Sequence, residues 1–222
     1  MAAALKSAGA PVAGPVLSTA GRLVEHAGGF AVMAVDAVEG ETCDSDEVDP
    51  ETAAKWGSLL ANLHERACSI ALGPSDVTPV VEVGPEMSRA RAVYGVLHGD
   101  PEIDNVVWAS EGPVFVDLDD VRHGWFAADV AFALRDWAPP AGAPDLNHPV
   151  PRAFVEGYRE VRELSDVELS WLPAFARQSA AETLSRLGPV LSETPDSGWP
   201  EWARALHDRV ARTAVGLRAA LA

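Results

Sequence analysis

The most constraining feature of this sequence is a pair of short apolar runs joined by a Ser-Glu-Gly turn. Residues 106–108 and 114–116 are rich in valine and aromatic residues, and the glycine of the turn stands where a positive φ is needed. The pattern predicts a β-hairpin centred near Glu111. Asn105 lies six residues before that centre and Asp117 six residues after it. We therefore expect these two side chains to meet at the open end of the hairpin.

Three oxygen-bearing side chains are expected at that end. Asp100 precedes Asn105 by five residues, on a loop that Gly99 and Pro101 allow to bend over the hairpin. The amide of Asn105 and the carboxylate of Asp117 are hard oxygen ligands that suit Mg²⁺, which takes its other ligands from water and substrate phosphates. The third group, Asp100, can accept a proton from an attacking hydroxyl. Together they predict a phosphoryl-transfer site of the kinase type.

The rest of the chain predicts an α+β protein. The first forty residues are expected to be extended, with a buried strand over residues 30–35. A helix should begin after Asp49, an N-cap residue that proline follows, and carry an apolar stripe. A short helix is expected over residues 87–93. Beyond Phe126 the pattern is helical, with breaks at proline and glycine that include residues 188–189.

Composition narrows the range of partners and compartments. The 222 residues include 33 Asp and Glu against 17 Lys and Arg, a net charge of −16 at pH 7. An acidic chain is a poor partner for nucleic acid or for an anionic membrane surface. No apolar run predicts a membrane span. The two cysteines, Cys43 and Cys68, have no metal-ligand spacing and predict free thiols in a cytoplasmic protein.

The predicted site segment resembles a known family. Residues 98–105, His-Gly-Asp-Pro-Glu-Ile-Asp-Asn, resemble the HGDxxxxN loop of the aminoglycoside phosphotransferase and choline kinase-like group, a loop related to the HRD loop of protein kinases. Residues 116–120, Val-Asp-Leu-Asp-Asp, resemble the strand end that replaces DFG in that group. Residues 57–64 and 124–131 are similar to its G..LA.LH helix and its G…YDLA segment.

The resemblance implies a protein kinase-like, two-lobed α+β fold. Residues 1–40 would form a partial, β-rich N-terminal lobe with the hinge on the nucleotide side. Residues 41–222 would form a mostly helical C-terminal lobe with the catalytic loop and the acceptor pocket. The N-terminal lobe would be truncated, because the family's first strands, its phosphate-covering loop and its phosphate-gripping lysine have no counterpart here. Lys6 is the sole lysine before the hinge, and we expect it to be a solvated side chain.

The resemblance also implies a role for each matching residue. Asp100 would be the catalytic base, and Asn105 and Asp117 would bind Mg²⁺. Asp119 is a weaker candidate for a metal or substrate contact. The remaining positions would support the loop (His98, Asp129), hold the nucleotide at the hinge (Met33, Ala34, Asp36) or contact the acceptor (Glu102, Asp104, Asp120, Trp125).

These roles predict Mg²⁺-assisted transfer of a phosphoryl group from ATP or GTP to a hydroxyl of a small, cationic or amino-bearing molecule of the aminoglycoside, choline or homoserine class. Acidic residues around the site would complement a cationic acceptor. The alternative is a non-catalytic or fragmentary kinase-like binding protein, because the lysine that stabilises the transferring phosphate is missing.

A third hypothesis is a metal-dependent phosphoesterase that uses His98, Asp100, Asp117 and His123. Dinuclear hydrolases usually have more histidines and bridging carboxylates than this chain offers. His64 and His123 are otherwise expected to be ordinary surface or packing residues.

Overall fold

The computed structural model describes residues 1–71, 87, 92–192 and 198–222. The helix expected over residues 87–93 therefore falls largely outside the described residues. The described part is an α+β structure in which helices surround four separate two-stranded sheets. None of its helices is long and apolar enough to cross a membrane.

The N-terminal forty residues form a short helix and two β-ribbons. Helix α1 spans Ala2–Ser7; strand β1 (Pro15–Val16) pairs with β4 (Ala34–Val35), and β2 (Glu25–Ala27) pairs with β3 (Phe30–Val32), both antiparallel. The expected buried strand over residues 30–35 is wrong on two counts: it is split between two ribbons, and its apolar side chains are exposed. Phe30 is 73% exposed. The physical reason is that an apolar strand is buried only where another layer packs over it, and the exposure of Val32 and Val35, each 50%, shows that these two ribbons have no such cover.

Helix α2 spans Pro50–Ala67 and begins where the sequence predicts. The Asp49 side chain accepts a hydrogen bond of 2.7 Å from the backbone N–H of Thr52 and so caps the helix. Its apolar stripe is buried against α4 (Pro149–Val161), and the buried large side chains are Trp56, Leu59, Leu60 and Leu63.

Two glycines let α2 and α4 approach closely. A Cβ placed on Gly57 would lie 2.0 Å from the carbonyl oxygen of Phe154, and one on Gly157 would lie 2.0 Å from that of Ala54. Each helix therefore places a glycine against the backbone of the other helix. This contact fixes the end of α2 that carries His64.

The central hairpin is formed by β6 (Val106–Ala109) and β7 (Gly112–Phe115), with Val106 opposite Phe115. The expected hairpin is present, but its centre lies between residues 110 and 111, half a residue earlier than expected. Asn105 therefore lies opposite Val116, whose N–H donates to its carbonyl oxygen at 2.9 Å, and Asp117 follows one residue later. The shift arises because the turn has just two residues, and turn length sets register.

A second antiparallel pair, β5 (Tyr94–Leu97) with β8 (Arg122–Trp125), flanks the hairpin, and helix α3 (Phe126–Ala133) follows β8 directly. The remaining helices are α5 (Asp166–Leu169), α6 (Leu172–Ser192) and α7 (Glu201–Leu221).

The helix break expected at residues 188–189 is wrong, because α6 continues through Pro189. Pro189 cannot donate to the carbonyl oxygen of Ser185, and the helix ends three residues later, at Ser192.

Candidate active site

The loop after β5 is held tightly against the chain that follows the hairpin. Gly99 has a φ of 89°, and a Cβ there would lie 2.0 Å from the carbonyl oxygen of Asp120. A side chain at this position is excluded by both backbone conformation and space. At the other end of the loop, the amide nitrogen of Asn105 donates to the carbonyl oxygen of Asp100 at 2.9 Å. The two predicted site residues are therefore linked directly.

Asp129, on the first turn of α3, accepts hydrogen bonds from this loop. Its Oδ2 accepts from the N–H of His98 at 2.8 Å, and its Oδ1 from the N–H of Gly99 at 3.1 Å. The carboxylate is buried, so these bonds replace the water that it loses. The loop therefore has a fixed position relative to α3.

A buried histidine supports Asp129 in turn. The Nε2 atom of His64 lies 3.0 Å from Oδ2 of Asp129, and its Nδ1 lies 2.8 Å from the hydroxyl oxygen of Tyr158. The expectation of an ordinary surface or packing residue missed this role. The signal that could have found it is position: His64 continues the apolar stripe of α2, four residues after Leu60. A polar side chain on such a buried stripe requires hydrogen-bond partners.

The protonation of this buried pair follows from burial and hydrogen bonding. Burial lowers the pKa of His64, so its imidazole is neutral at pH 7. Burial alone would raise the pKa of Asp129, but the hydrogen bond from His64 and the electrostatic effect of both neighbouring histidines outweigh it, and the net shift is downward. Asp129 is therefore a carboxylate that accepts from a neutral His64 Nε2–H.

His98 joins the loop to the end of the hairpin. Its Nδ1 accepts from the N–H of Asp100 at 3.3 Å, so Nε2 carries the proton and donates to the carbonyl oxygen of Val116 at 3.0 Å. The side chain is buried, which lowers its pKa and keeps it neutral. Both ring nitrogens are occupied, so His98 has no lone pair available for a metal ion.

Asp100 itself faces Glu102 and Arg135. Its Oδ1 is buried and accepts no hydrogen bond from the described residues, and the nearest cation is Nη1 of Arg135 at 3.8 Å. Arg135 also contacts the carboxyl group of Glu102 through Nη2. Burial, and next a hydrogen bond with Asp100, raise the pKa of Glu102 to about 8, although Arg135 opposes the shift. Arg135 was missed from the sequence, where no motif or spacing marks it.

Asn105 and Asp117 offer oxygen ligands at the hairpin end. The side-chain amide nitrogen of Asn105 donates to Asp100. Its side-chain oxygen, Oδ1, is therefore the polar atom of this amide that can bind a cation. Asp117 is exposed and has a φ of 54°, a left-handed conformation that is unusual outside glycine. Among the residues that the structure describes, its Oδ1 accepts a single long bond of 3.4 Å, from the N–H of Asp119. An amide oxygen and a carboxylate that accepts one long hydrogen bond fit a hard divalent cation.

The predicted acceptor contacts are not gathered into one acidic surface. Asp120 forms an ion pair of 3.1 Å with Arg186 of α6, and Asp104 is exposed. Trp125 is 2% exposed and packs edge-on against Tyr94, so it belongs to the core. Glu102 and Asp120 both contact arginines. The negative charge expected to attract a cationic acceptor is therefore partly neutralised at these two positions.

The hinge residues lie in the N-terminal ribbon. Met33 and Ala34 are exposed, and the backbone N–H of Asp36 donates to the carbonyl oxygen of Gly14 at 3.0 Å. The Asp36 carboxylate forms an ion pair with Lys6, and the Lys6 side chain is exposed, as expected of a solvated residue. The pairing follows from the β1–β4 register, which brings Asp36 next to the chain that leaves α1.

Residues 87–164, which include the whole of this loop and hairpin, match the family described as "Phosphotransferase enzyme family". The family resemblance is confirmed. Homoserine kinases are among the relatives of this chain. That of Bradyrhizobium sp. (strain ORS 278) is 30% identical over 143 residues, covering 61% of this chain and 42% of its own length. That of Neisseria meningitidis serogroup B is 27% identical over 200 residues, covering 78% and 64%.

The chain therefore spans less than two thirds of the length of these relatives. Among solved structures, an amicoumacin kinase in complex with AMP-PNP and Ca²⁺ matches with a TM-score of 0.69 at 18% identity, covering 95% of this chain and 73% of that one. A microcompartment-associated aminopropanol kinase matches with a TM-score of 0.66 at 20% identity, covering 96% and 77%. At these identities the likeness establishes the fold, and the kinase-like α+β fold is confirmed.

Proposed function

We propose that this chain transfers a phosphoryl group from ATP or GTP, with Mg²⁺, to a hydroxyl of a small amino-bearing molecule. The observation that carries the proposal is the loop geometry: a buried oxygen of Asp100 without a hydrogen bond lies on a loop tied to Asn105 and fixed by Asp129. Such a rigid carboxylate is what positioning an attacking hydroxyl requires.

In this proposal Asp100 orients the acceptor hydroxyl and accepts its proton as the oxygen attacks phosphorus. The Oδ1 atom accepts no hydrogen bond from the described residues, so its lone pairs are unengaged. The hydrogen bonds of the loop backbone to Asp129 hold it in place, because a misplaced base loses most of its effect.

Asn105 and Asp117 would hold Mg²⁺, which when bound neutralises charge on the phosphates of the nucleotide. The support in this chain is the free amide oxygen of Asn105 and the lightly used carboxylate of Asp117. The amicoumacin kinase was solved with AMP-PNP and Ca²⁺, which is consistent with a divalent ion next to a nucleotide in this fold. Asp119, exposed and close in sequence, would be a further ligand or substrate contact.

The nucleotide base would bind against the hinge at Met33, Ala34 and Asp36, with residues 1–40 on the nucleotide side and residues 41–222 carrying the catalytic loop. Glu41, the first residue on the catalytic-loop side of this boundary, is held to the central hairpin by a two-way backbone pairing. Trp108 donates to the carbonyl oxygen of Glu41 at 2.8 Å, and Glu41 donates in return at 3.4 Å.

The names of the relatives support a small acceptor that carries both a hydroxyl and an amino group, since homoserine and aminopropanol each have both. We place the reaction in the cytoplasm, in line with the two cysteines, Cys43 and Cys68, which form no disulfide in the described residues. A metal-dependent phosphoesterase is not supported, because His98 has no free ring nitrogen.

The test is titration of the 222-residue chain with Mg-ATP and Mg-GTP, together with a phosphoryl-transfer assay on a panel of amino alcohols and hydroxy amino acids. We expect saturable binding that Asp117→Asn weakens, and transfer that Asp100→Asn abolishes while binding persists. The exposed Asp104→Asn is the matched control, because it removes the same charge nearby. Absence of saturable binding, or binding unchanged in Asp117→Asn, would overturn the proposal.

A second candidate is a kinase-like protein that binds ligands without catalysis. The observation in its favour is that both lysines are engaged elsewhere, Lys6 with Asp36 and Lys55 with Glu51 at 2.8 Å. Neither pairs with Asp100, Asn105 or Asp117, and the partner of Lys6 is one of the predicted hinge residues. Nucleotide binding without transfer to any acceptor supports this candidate, and transfer that is lost in Asp100→Asn excludes it.

A further inference from the structure

The segment that carries the predicted metal ligand Asp117 lies outside the sheets. Residues 117–120, the connecting segment, lead from β7 to β8, and these two strands belong to different sheets. The segment has one buried apolar side chain, Leu118, which is 8% exposed. Asp117 has a φ of 54°, and a left-handed conformation at a residue other than glycine is kept only where the surrounding structure holds it. The position of the Asp117 carboxylate therefore depends on how both ends of the segment are held.

Asp120, at the far end of the connecting segment, is held by Arg186 of α6. The Nη2 atom of Arg186 lies 3.1 Å from Oδ1 of Asp120, and its Nη1 atom lies 3.5 Å from Oδ2. The guanidinium therefore contacts both carboxylate oxygens. A contact at two points fixes the orientation of a carboxylate as well as its distance.

The backbone of Asp120 lies directly against the catalytic loop. A Cβ placed on Gly99 would lie 2.0 Å from the carbonyl oxygen of Asp120 and 3.1 Å from its Cβ. Gly99 precedes Asp100, and its N–H donates to Asp129 of α3. Asp120 therefore joins three parts of the site: α6 through its side chain, the catalytic loop through its backbone, and Asp117 through the chain.

We propose that Arg186 is a positioning residue for the metal site, and that it acts through Asp120. By holding the Asp120 carboxylate, Arg186 keeps the connecting segment against the catalytic loop, and the oxygens of Asp117 keep a fixed place relative to Asp100. The role of Asp120 is then to anchor this segment rather than to contact the acceptor. The inference rests on the proposed function, which assigns Mg²⁺ to Asp117.

The exposure of the pair separates this role from a role in stability. The side chains of Arg186 and Asp120 are 65% and 38% exposed, and an exposed ion pair contributes little to the free energy of unfolding. Loss of the pair should therefore change the geometry of the connecting segment while the midpoint of urea unfolding stays close to that of wild type.

The experiment measures the dissociation constant of ATP by calorimetry on the full chain, in Mg²⁺ and again in EDTA. Arg186→Gln and Asp120→Asn each remove one partner, and the double variant removes both. We expect each single variant to weaken ATP binding about tenfold in Mg²⁺ and to leave it unchanged in EDTA, because the connecting segment acts on the metal. The double variant should bind no more weakly than the single variants, since Arg186 acts through Asp120.

Arg152→Gln is the matched control, because it removes the arginine of another exposed ion pair, the one with Glu156 on α4. It should leave ATP binding unchanged. Arg186→Lys keeps the charge but has no planar fork, so it should recover part of the affinity. Three results would each overturn the inference: wild-type affinity in Arg186→Gln, equal losses in Mg²⁺ and EDTA, or single losses that add in the double variant.

Failure of this inference can be told from failure of the proposed function. If Asp117→Asn weakens Mg-ATP binding and Arg186→Gln does not, this inference alone is overturned. If the chain binds no Mg-ATP, the proposed function is overturned, and amide hydrogen exchange at Gly99, followed by NMR, decides the inference. Faster exchange in Arg186→Gln than in Arg152→Gln then supports it, and equal rates overturn it.

Discussion

The Nε2 atom of His64 lies 3.0 Å from Oδ2 of Asp129, although 65 residues separate them, and both side chains are at most 1% exposed. The same oxygen accepts the N–H of His98, so one buried carboxylate oxygen connects α2 to the catalytic loop. The stability of the core and the geometry of the proposed site therefore depend on a single polar network.

His64→Leu should destabilise the chain by about 3 kcal/mol or more, because it leaves the Asp129 carboxylate buried without its side-chain donor. Tyr158→Phe is the matched comparison: it removes a neutral hydrogen bond from the same histidine and should cost about 1 kcal/mol. Urea unfolding followed by circular dichroism measures both. Equal costs for the two variants would contradict this account of the network.

Asp129→Asn should slow phosphoryl transfer by about 10²-fold while leaving Mg-nucleotide affinity nearly unchanged. An asparagine amide nitrogen cannot accept a hydrogen bond, so either His98 or Gly99 loses its acceptor and Asp100 is displaced. The measurement is kcat against the dissociation constant of Mg-ATP, with far-UV circular dichroism as the folding control. A parallel loss of kcat and nucleotide binding would show that Asp129 acts on more than the loop.

The free energy of unfolding should fall as the pH drops below about 6.5. Burial lowers the pKa of both His64 and His98, so the folded protein keeps them neutral while the unfolded chain takes up protons. More protons bound in the unfolded state means that stability rises with pH in this range and is lost on acidification. His64→Gln should reduce this slope. If the free energy of unfolding has the same slope against pH in wild type and in His64→Gln between about pH 7.5 and about pH 5.5, the assignment of a neutral, buried His64 is contradicted.

Glu102 should make the opposite contribution. Burial and the hydrogen bond with Asp100 raise its pKa to about 8, so the folded protein holds a proton that the unfolded chain releases above its ordinary pKa of about 4.3. Its contribution to stability is therefore lost as the pH rises toward 8. Glu102→Gln cannot ionise, so its stability relative to wild type should grow between about pH 5 and about pH 8. Glu39→Gln, which is exposed and lies outside this loop, should show no such trend.

Gly57→Ala should cost about 3 kcal/mol, because the new methyl group would lie 2.0 Å from a backbone carbonyl oxygen of α4 that cannot move freely. Gly216→Ala, in helix α7, meets no atom within 4 Å and should instead stabilise by about 0.5–1 kcal/mol. Thermal unfolding of the two variants gives the comparison. A mild effect at Gly57 would mean that the two helices can separate without loss.

The elements that local interactions determine were the ones predicted correctly. The start of α2 follows from the capping of Asp49 and the proline after it, and the central hairpin follows from two apolar runs around a turn. The spacing of Asp100, Asn105 and Asp117 along the chain was sufficient to predict a kinase-like site. The predicted centre of the hairpin was half a residue too late, because apolar runs alone do not fix the length of a turn.

Contacts between distant parts of the chain could be seen only in the folded structure. No spacing links His64 to Asp129, or Arg135 to Asp100, because these pairs form when separate helices and loops pack together. Burial of the strand at residues 30–35 failed as a prediction for the same reason: an apolar run is buried only where another layer covers it, and Phe30 has none. The sequence determined which groups could do chemistry, and the tertiary structure decided which of them meet, since distance, burial and charge pairing arise from packing across the chain.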